Sequence, residues 1–256
     1  MELGLARDTP ASFVPADTVV LGYHAVSPSW TVDISVTQEA LEAQLGFFIR
    51  RGWQAATFRD VALGKTGPRT IVVTFDDAFL SVFELALPVL SSLGLPATVF
   101  APTSFMSERQ RLTWSGIDHW QPESELIGMC WEDLGNLVEA GWEIGSHTRT
   151  HPHLPRLGSE DLSAELLESR VEIADKLGVS CDTIAYPYDD VDDRVALAAA
   201  EAGYLAGTAS KRQLKHNGMH RFPRVGVYKR DPTWRFRLKA SRAVRYLRTT
   251  DLWPQR

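Results

Sequence analysis

What most constrains this chain is the regular exchange of two hydrophobic periods along its length. Short apolar runs, many of them β-branched, occupy Val19–His24, Gln54–Phe58, Thr70–Phe75, Ala97–Ala101, Trp142–Ser146, Thr183–Tyr186, Leu205–Ala209 and Phe222–Val227. Between them lie amphipathic stretches of helical length at Thr37–Arg51, Leu80–Leu93, Trp131–Ala140, Ser159–Leu177 and Asp193–Ala202. The punctuation agrees: Thr37 stands before Gln38-Glu39-Ala40 as an N-cap, and Gly94, Gly141, Gly178 and Gly203 each follow a last turn. Strands alternating with helices in this way pair in parallel through crossovers. The run Thr70-Ile71-Val72-Val73-Thr74-Phe75 is apolar on both faces, as a strand covered on both sides must be. Seven or eight such units in 256 residues favour a closed barrel over a small doubly wound sheet.

No repeat, low-complexity run or linker divides the chain, so residues 1–256 read as one domain. Hydrophobic residues at 44% and charged residues at 23% exclude a disordered chain or a coiled coil. No apolar run approaches the ~18 to 20 residues that a membrane span requires. Met1 to Asp17 carries no basic segment followed by an apolar one, and Cys130 and Cys181 make no disulfide framework, so the expected compartment is the cytoplasm. The net charge of −5 conceals an asymmetry: residues 211–256 hold 14 Lys and Arg against Asp231 and Asp251 alone. That basic segment is expected either to dock on the chain's own acidic surface or to meet an anionic partner. Such a partner would be a phosphate-bearing substrate or the headgroups of a membrane, and nothing points to nucleic acid. Within it, Trp234 to Arg248 reads as a helix with an imperfect apolar face.

In parallel α/β folds the chemistry lies at the carboxyl ends of the strands. The residues there are His24, Asp76-Asp77, Pro102, His147, Pro187-Tyr188 and Ser210. Two adjacent carboxylates after an apolar strand are costly to desolvate and repel each other unless a cation lies beside them. One Asp alone could be a helix cap; two together point to chemistry. In Ser146-His147-Thr148-Arg149-Thr150-His151-Pro152-His153, a spacing of four would put His147 and His151 on one side of a helical turn, at chelating distance. Such a pair alone is often a surface coincidence, but an Asp with two His is also a common zinc or iron shell with positions left for water and substrate. His153 breaks the spacing and reads as a surface residue.

Thr74-Phe75-Asp76-Asp77, then Ser146-His147-Thr148-Arg149-Thr150-His151-Pro152, then Ala185-Tyr186-Pro187-Tyr188 resemble the motifs of the polysaccharide deacetylases of carbohydrate esterase family 4. The likeness runs from about Val19 to Val227. It implies a single distorted (β/α)7 barrel and metal-dependent hydrolysis of the N-acetyl group of an amino sugar. It makes Asp76 the catalytic base and Asp77, His147 and His151 the ligands of a divalent metal, zinc first, with iron, cobalt, nickel or manganese as alternatives. The backbone N–H of Tyr188 would help hold the oxyanion. No Leu-x-His motif follows residue 227; instead Leu21-Gly22-Tyr23-His24 resembles the rearranged branch related to poly-N-acetylglucosamine deacetylases, which makes His24 the catalytic acid.

Three positions depart from the pattern. Ala78 stands for the usual Gly after the Asp pair, Ala185 for the Arg that orients the base, and Asp189 for the Gly after Pro-Tyr. Arg224 is the candidate to replace that Arg. Trp114, Trp120 and Trp131, in and beside the long irregular segment 103–129, could stack on sugar rings or simply pack. Two other readings stay open: hydrolysis of a non-sugar amide on the same scaffold, and carbohydrate binding without catalysis.

Overall fold

The computed structural model describes residues 18–210 and 218–247. Its strands, in chain order, are β1 (Val19–Tyr23), β2 (Ala25–Val26), β3 (Ser35–Val36), β4 (Gln54–Ala56), β5 (Thr70–Phe75), β6 (Thr98–Ala101), β7 (Glu143–Ser146), β8 (Thr183–Ala185), β9 (Ala206–Ala209), β10 (Phe222–Pro223) and β11 (Val225–Gly226). The main sheet is parallel throughout and runs β10-β9-β8-β7-β6-β5-β1-β11. Its two ends are one piece of chain: β10 pairs with β9, and β11, one residue later, pairs with β1. Residues 222–226 thus close a seven-stave barrel, the (β/α)7 architecture expected. The short β4 joins the lower half of β5, and β2 and β3 form a separate two-stranded sheet.

The helices are α1 (Gln38–Ile49), α2 (Phe58–Ala62), α3 (Leu87–Ser92), α4 (Trp131–Glu139), α5 (Ser159–Leu177), α6 (Asp193–Glu201), α7 (Thr233–Ala240) and α8 (Arg242–Leu247). Thr37 caps α1 by accepting from the Ala40 N–H, and Gly178 ends α5 in the left-handed region at φ 67°. The expected strand Gln54–Phe58 stops at Ala56, because Thr57 and Asp60 form a capping box that starts α2. The expected helix Leu80–Leu93 begins with a π-helical stretch, Val82–Ala86. The expected helix Trp234–Arg248 is two helices, broken at the extended Ser241, and Arg248 lies outside the described residues. The expected strand Phe222–Val227 is divided at Arg224, where the chain changes pairing partner.

Burial alternates along the staves with the period of two that a strand imposes. Val19, Leu21, Ile71, Val73, Val99 and Ala101 join the large core between sheet and helices. Val20, Val72, Phe100, Ala185 and Ala206 join a smaller core with Phe58 and Val61 of α2. This second core is the barrel interior, and α2 plugs its lower mouth. Phe58 N–H donates to Thr98 Oγ1 at 2.9 Å and Arg59 N–H to Glu143 Oε2 at 2.8 Å. The hydroxyls of Thr98 and Thr183 also donate to the buried Glu143 carboxylate. Fully burying a side chain such as Phe58 contributes ~1.5 to 3 kcal/mol, so the plug is a substantial part of the barrel's stability. Counting upward by twos from Val20 and Val72 leads through Gly22 and Thr74 to His24 and Asp76. The same parity that fills the interior therefore carries these two polar side chains to its upper mouth.

Candidate active site

Three loops at the carboxyl ends of β5, β7 and β8 carry most of the candidate residues, and each is bent by left-handed backbone. Among the described residues, the non-glycine positions with positive φ are Arg69, Asp77, Ala78, Thr148, His151, Tyr188 and Asp189; all but Arg69 lie in these loops. Such conformations cost ~1 to 3 kcal/mol each and persist where the surroundings over-determine them. Ala78 and Asp189, the two positions where Gly was expected, keep the left-handed conformation without it. The spacing of His147 and His151 does not act through a helical turn as expected. The segment is a non-helical loop, and the reversals at Thr148 and His151 bring the rings together at 4.8 Å.

The loop is held from several sides. Thr148 N–H donates to Ser146 Oγ at 3.0 Å, and His151 N–H to Thr148 Oγ1 at 3.1 Å. Glu165, on α5, accepts from Arg149 N–H at 2.8 Å, Thr150 N–H at 2.9 Å and the Thr150 hydroxyl at 2.6 Å. Glu165 gave no signal in the sequence, where it is one more acidic residue on an amphipathic helix.

Asp77, His147 and His151 converge, all buried, with one ligand atom of each within 4.8 Å of the others. Asp77 Oδ1 lies 3.4 Å from His147 Nε2 and 3.3 Å from His151 Nε2. Ligands about 2.0 to 2.2 Å from a tetrahedral metal are separated by about 3.3 to 3.5 Å, so these two separations fit such an ion. Asp77 Oδ1 is a buried atom with no hydrogen-bond partner, the condition of an oxygen reserved for a cation. His147 Nδ1 lies 2.7 Å from the Ala185 carbonyl, which fixes the tautomer that leaves Nε2 as the ligand atom. Burial alone would raise Asp77, but the two imidazoles beside it outweigh that and hold the carboxyl far below its ordinary value. Burial lowers both imidazoles; contact with Asp77 and Asp76 lifts His147 above its ordinary value, and His151 stays below.

Asp76 faces the other way, toward Arg224. Its two oxygens take two guanidinium hydrogen bonds, Nη1 to Oδ1 at 2.6 Å and Nη2 to Oδ2, with both side chains 2% exposed. Arg224 also donates to Ser210 Oγ at 3.1 Å and Asp189 Oδ1 at 3.3 Å. It stands at the residue where the closing strand changes partners, and it crosses the barrel over Gly22. A Cβ on Gly22 would lie 3.1 Å from Arg224 Cδ, so the glycine leaves room for the crossing. Burial would raise Asp76, but Arg224, with His147 and His24, holds it below the usual carboxylate range. Asp76 therefore has a guanidinium partner from residue 224, with Ala at residue 185. His24 Nε2 lies 3.8 Å from Asp76 Oδ2, and its side chain is 23% exposed at the mouth.

Tyr188 lies on the rim at φ 59°, its ring stacked on His153 at 3.9 Å and its hydroxyl donating to the Ser115 carbonyl at 2.8 Å. His153 is half-buried rather than a plain surface residue, and its Nδ1 lies 3.2 Å from Asp190. Trp114 is 8% exposed with its face stacked on His151 at 4.2 Å, and Trp120 packs edge-on to Trp30 at 5.7 Å. Both are packing residues, and Trp131 opens α4 half-buried.

Residues 63–207, more than half of the chain, match the sequence profile described as Polysaccharide deacetylase. The chain belongs to the polysaccharide deacetylase family. It is 29% identical over 150 residues to the chitooligosaccharide deacetylase of Sinorhizobium fredii, covering 58% of this chain and 60% of that protein. It is 24% identical over 186 residues to the poly-β-1,6-N-acetyl-D-glucosamine N-deacetylase of Staphylococcus aureus, covering 68% of this chain and 60% of that protein. The chain therefore matches only about three fifths of the length of each. Among solved structures, the Streptococcus pyogenes deacetylase PplD, in complex with acetate, superposes with a TM-score of 0.73 at 18% identity, covering 89% of this chain and 99% of that one. At that identity the likeness establishes the shared fold.

Proposed function

We propose that this deacetylase removes N-acetyl groups from an amino-sugar polymer or oligomer by metal-dependent hydrolysis, releasing acetate. The observation that carries the reading is the placement of two adjacent carboxylates in opposite service. Asp77 turns to the two imidazoles, and Asp76 turns to Arg224 and His24. The names of the relatives, a chitooligosaccharide deacetylase and a poly-N-acetylglucosamine deacetylase, support the substrate class.

Asp77, His147 and His151 would hold the ion. When bound, a divalent metal supplies Lewis acidity, lowering the pKa of water and stabilising charge on an acyl oxygen. Asp76, kept ionised and aimed by Arg224, accepts the proton of the attacking water. The backbone N–H of Tyr188 contributes a hydrogen bond to the oxygen that becomes negative. His24, at the open mouth, donates a proton to the departing nitrogen, because an amine does not leave as an anion.

Asp76→Asn tests these roles. It keeps the shape of the site but cannot accept a proton, so metal content should persist while kcat for acetate release falls ~10² to 10⁴-fold. Loss of the metal in that variant would make Asp76 a ligand and exchange the roles of the two carboxylates.

A further inference from the structure

Helix α7 packs on the barrel through Phe236 and Ala240, both buried. Phe236 meets Phe48 of α1 edge-on at 6.1 Å. The 100° step between helical residues puts Trp234 and Leu238 together on the opposite, outward side. They are 67% and 52% exposed, and Trp234 is the one exposed tryptophan among the described residues. An outward ridge of this kind is costly in water and calls for a partner.

Arg235 and Arg237 flank the ridge on its two sides. From Arg230 to Leu247 the described residues carry Arg230, Arg235, Arg237, Lys239, Arg242 and Arg245 against Asp231 alone. Asp231 is buried and engaged by Arg235 at 3.3 Å and by Lys239, and Asp33 pairs with Arg230 at 2.7 Å, so the face still carries more positive than negative charge. Arg51 of α1 adds to it, its guanidinium lying 3.9 Å above the Phe47 ring that Arg237 covers at 4.9 Å from the other helix.

We propose that this outward face of α7 docks on an anionic lipid surface, Trp234 and Leu238 entering the headgroup and acyl boundary while the flanking arginines meet lipid phosphates. Charge complementarity selects the negative partner, and the aromatic and aliphatic ridge selects a surface with an apolar layer beneath its charge. A free polyanion would offer the arginines partners but leave the ridge in water. A second copy of this chain is disfavoured by size, since a stable protein interface needs ~800 Å² on each side and the ridge is two side chains wide. The surface also has a direction. Just before α7, Lys229 N–H donates to the Asp33 carbonyl at 2.8 Å and its ammonium to the Trp30 carbonyl at 2.6 Å. Those carbonyls belong to the segment that follows His24, so docking would hold the catalytic mouth beside the lipid surface.

The test is co-sedimentation of the full chain with vesicles of phosphatidylcholine alone, or of equal parts phosphatidylcholine and phosphatidylglycerol. The wild type should bind the mixed vesicles at low salt and release as salt shortens the Debye length, and should ignore the neutral ones. Trp234→Ala/Leu238→Ala should lower affinity for the mixed vesicles at least ~10-fold, with melting temperature and acetate release from a soluble oligomer unchanged. Arg235→Gln/Arg237→Gln should weaken binding and flatten its salt dependence. Absence of wild-type binding to mixed vesicles at low salt overturns the proposal. So does equal binding of the mixed vesicles by the ridge variant, which would make the face a site for polyanions in general. Self-association that the ridge variant abolishes would assign the face to a second copy instead.

Discussion

Replacing Arg224 by Met keeps most of the side chain's length and removes its charge, leaving Asp76 in the barrel mouth with no guanidinium. Asp76 is 1% exposed and Arg224 3%, and two hydrogen bonds join them. Breaking a buried pair from one side costs ~3 to 5 kcal/mol, because the surviving charge is stranded. For a protein of this size that corresponds to a fall of roughly 6 to 20 °C in melting temperature. Removing both members leaves no stranded charge. Asp76→Asn/Arg224→Met should therefore be more stable than Arg224→Met alone, by ~1 to 3 kcal/mol in a double-mutant cycle. The assay is urea unfolding of metal-free protein at pH 7, where no ion shares the charge of Asp76. The folded Asp76 pKa lies below its unfolded value, so its stabilisation is present above about pH 4 and fades as pH falls through the lower folded value. The coupling must fade with it. Additive single effects within ~0.5 kcal/mol at pH 7 would refute the pairing and with it the role of Arg224 in aiming the base.

His24→Ala should retain its metal while kcat on an acetamide falls ~10² to 10⁴-fold and an acetate ester suffers less, since an alkoxide leaves with less help from a proton; equal losses on both would make His24 structural. Glu165→Ala should loosen the loop between the two histidines and weaken metal binding ~10 to 100-fold in a chelator competition, while Glu168→Gln on the same helix should not. Burial raises the pKa of Glu143 above its ordinary value despite three donors. Stability from this group should then fall as pH rises from the ordinary glutamate value through the raised one. Glu143→Gln should remove that slope from the pH dependence of unfolding, and an unchanged slope would contradict it.

The barrel was legible because its signals are local. Thr70–Phe75 and Ser159–Leu177 form with the bounds their patterns predict, since an apolar run between turns and an amphipathic run ended by Gly178 need no long-range information. The convergence of Asp77, His147 and His151 was legible for a different reason. Adjacent Asp residues after a buried strand, and two His close in sequence, are expensive arrangements that need a purpose. Their path was not legible, because left-handed turns at Thr148 and His151 and a helical turn give the same spacing. The Arg224–Asp76 contact spans 148 residues, and only closure of the barrel brings the two together. Trp114 read equally well as a sugar platform or a packing residue until its face was found against His151. The hold of Glu165 on the histidine loop is a tertiary contact that no periodicity encodes.

The proposed hydrolysis stands on one metal ion held by Asp77, His147 and His151. The direct measurement is paired: metal content by elemental analysis, and acetate released from N-acetylglucosamine oligomers, for wild type and His151→Ala, each after chelator treatment and after zinc is restored. The expected result is about one ion per wild-type chain, turnover that disappears with the chelator and returns with zinc, and neither ion nor turnover in the variant. Acetate release by metal-free wild type at the restored rate, or a full ion in His151→Ala, would contradict it.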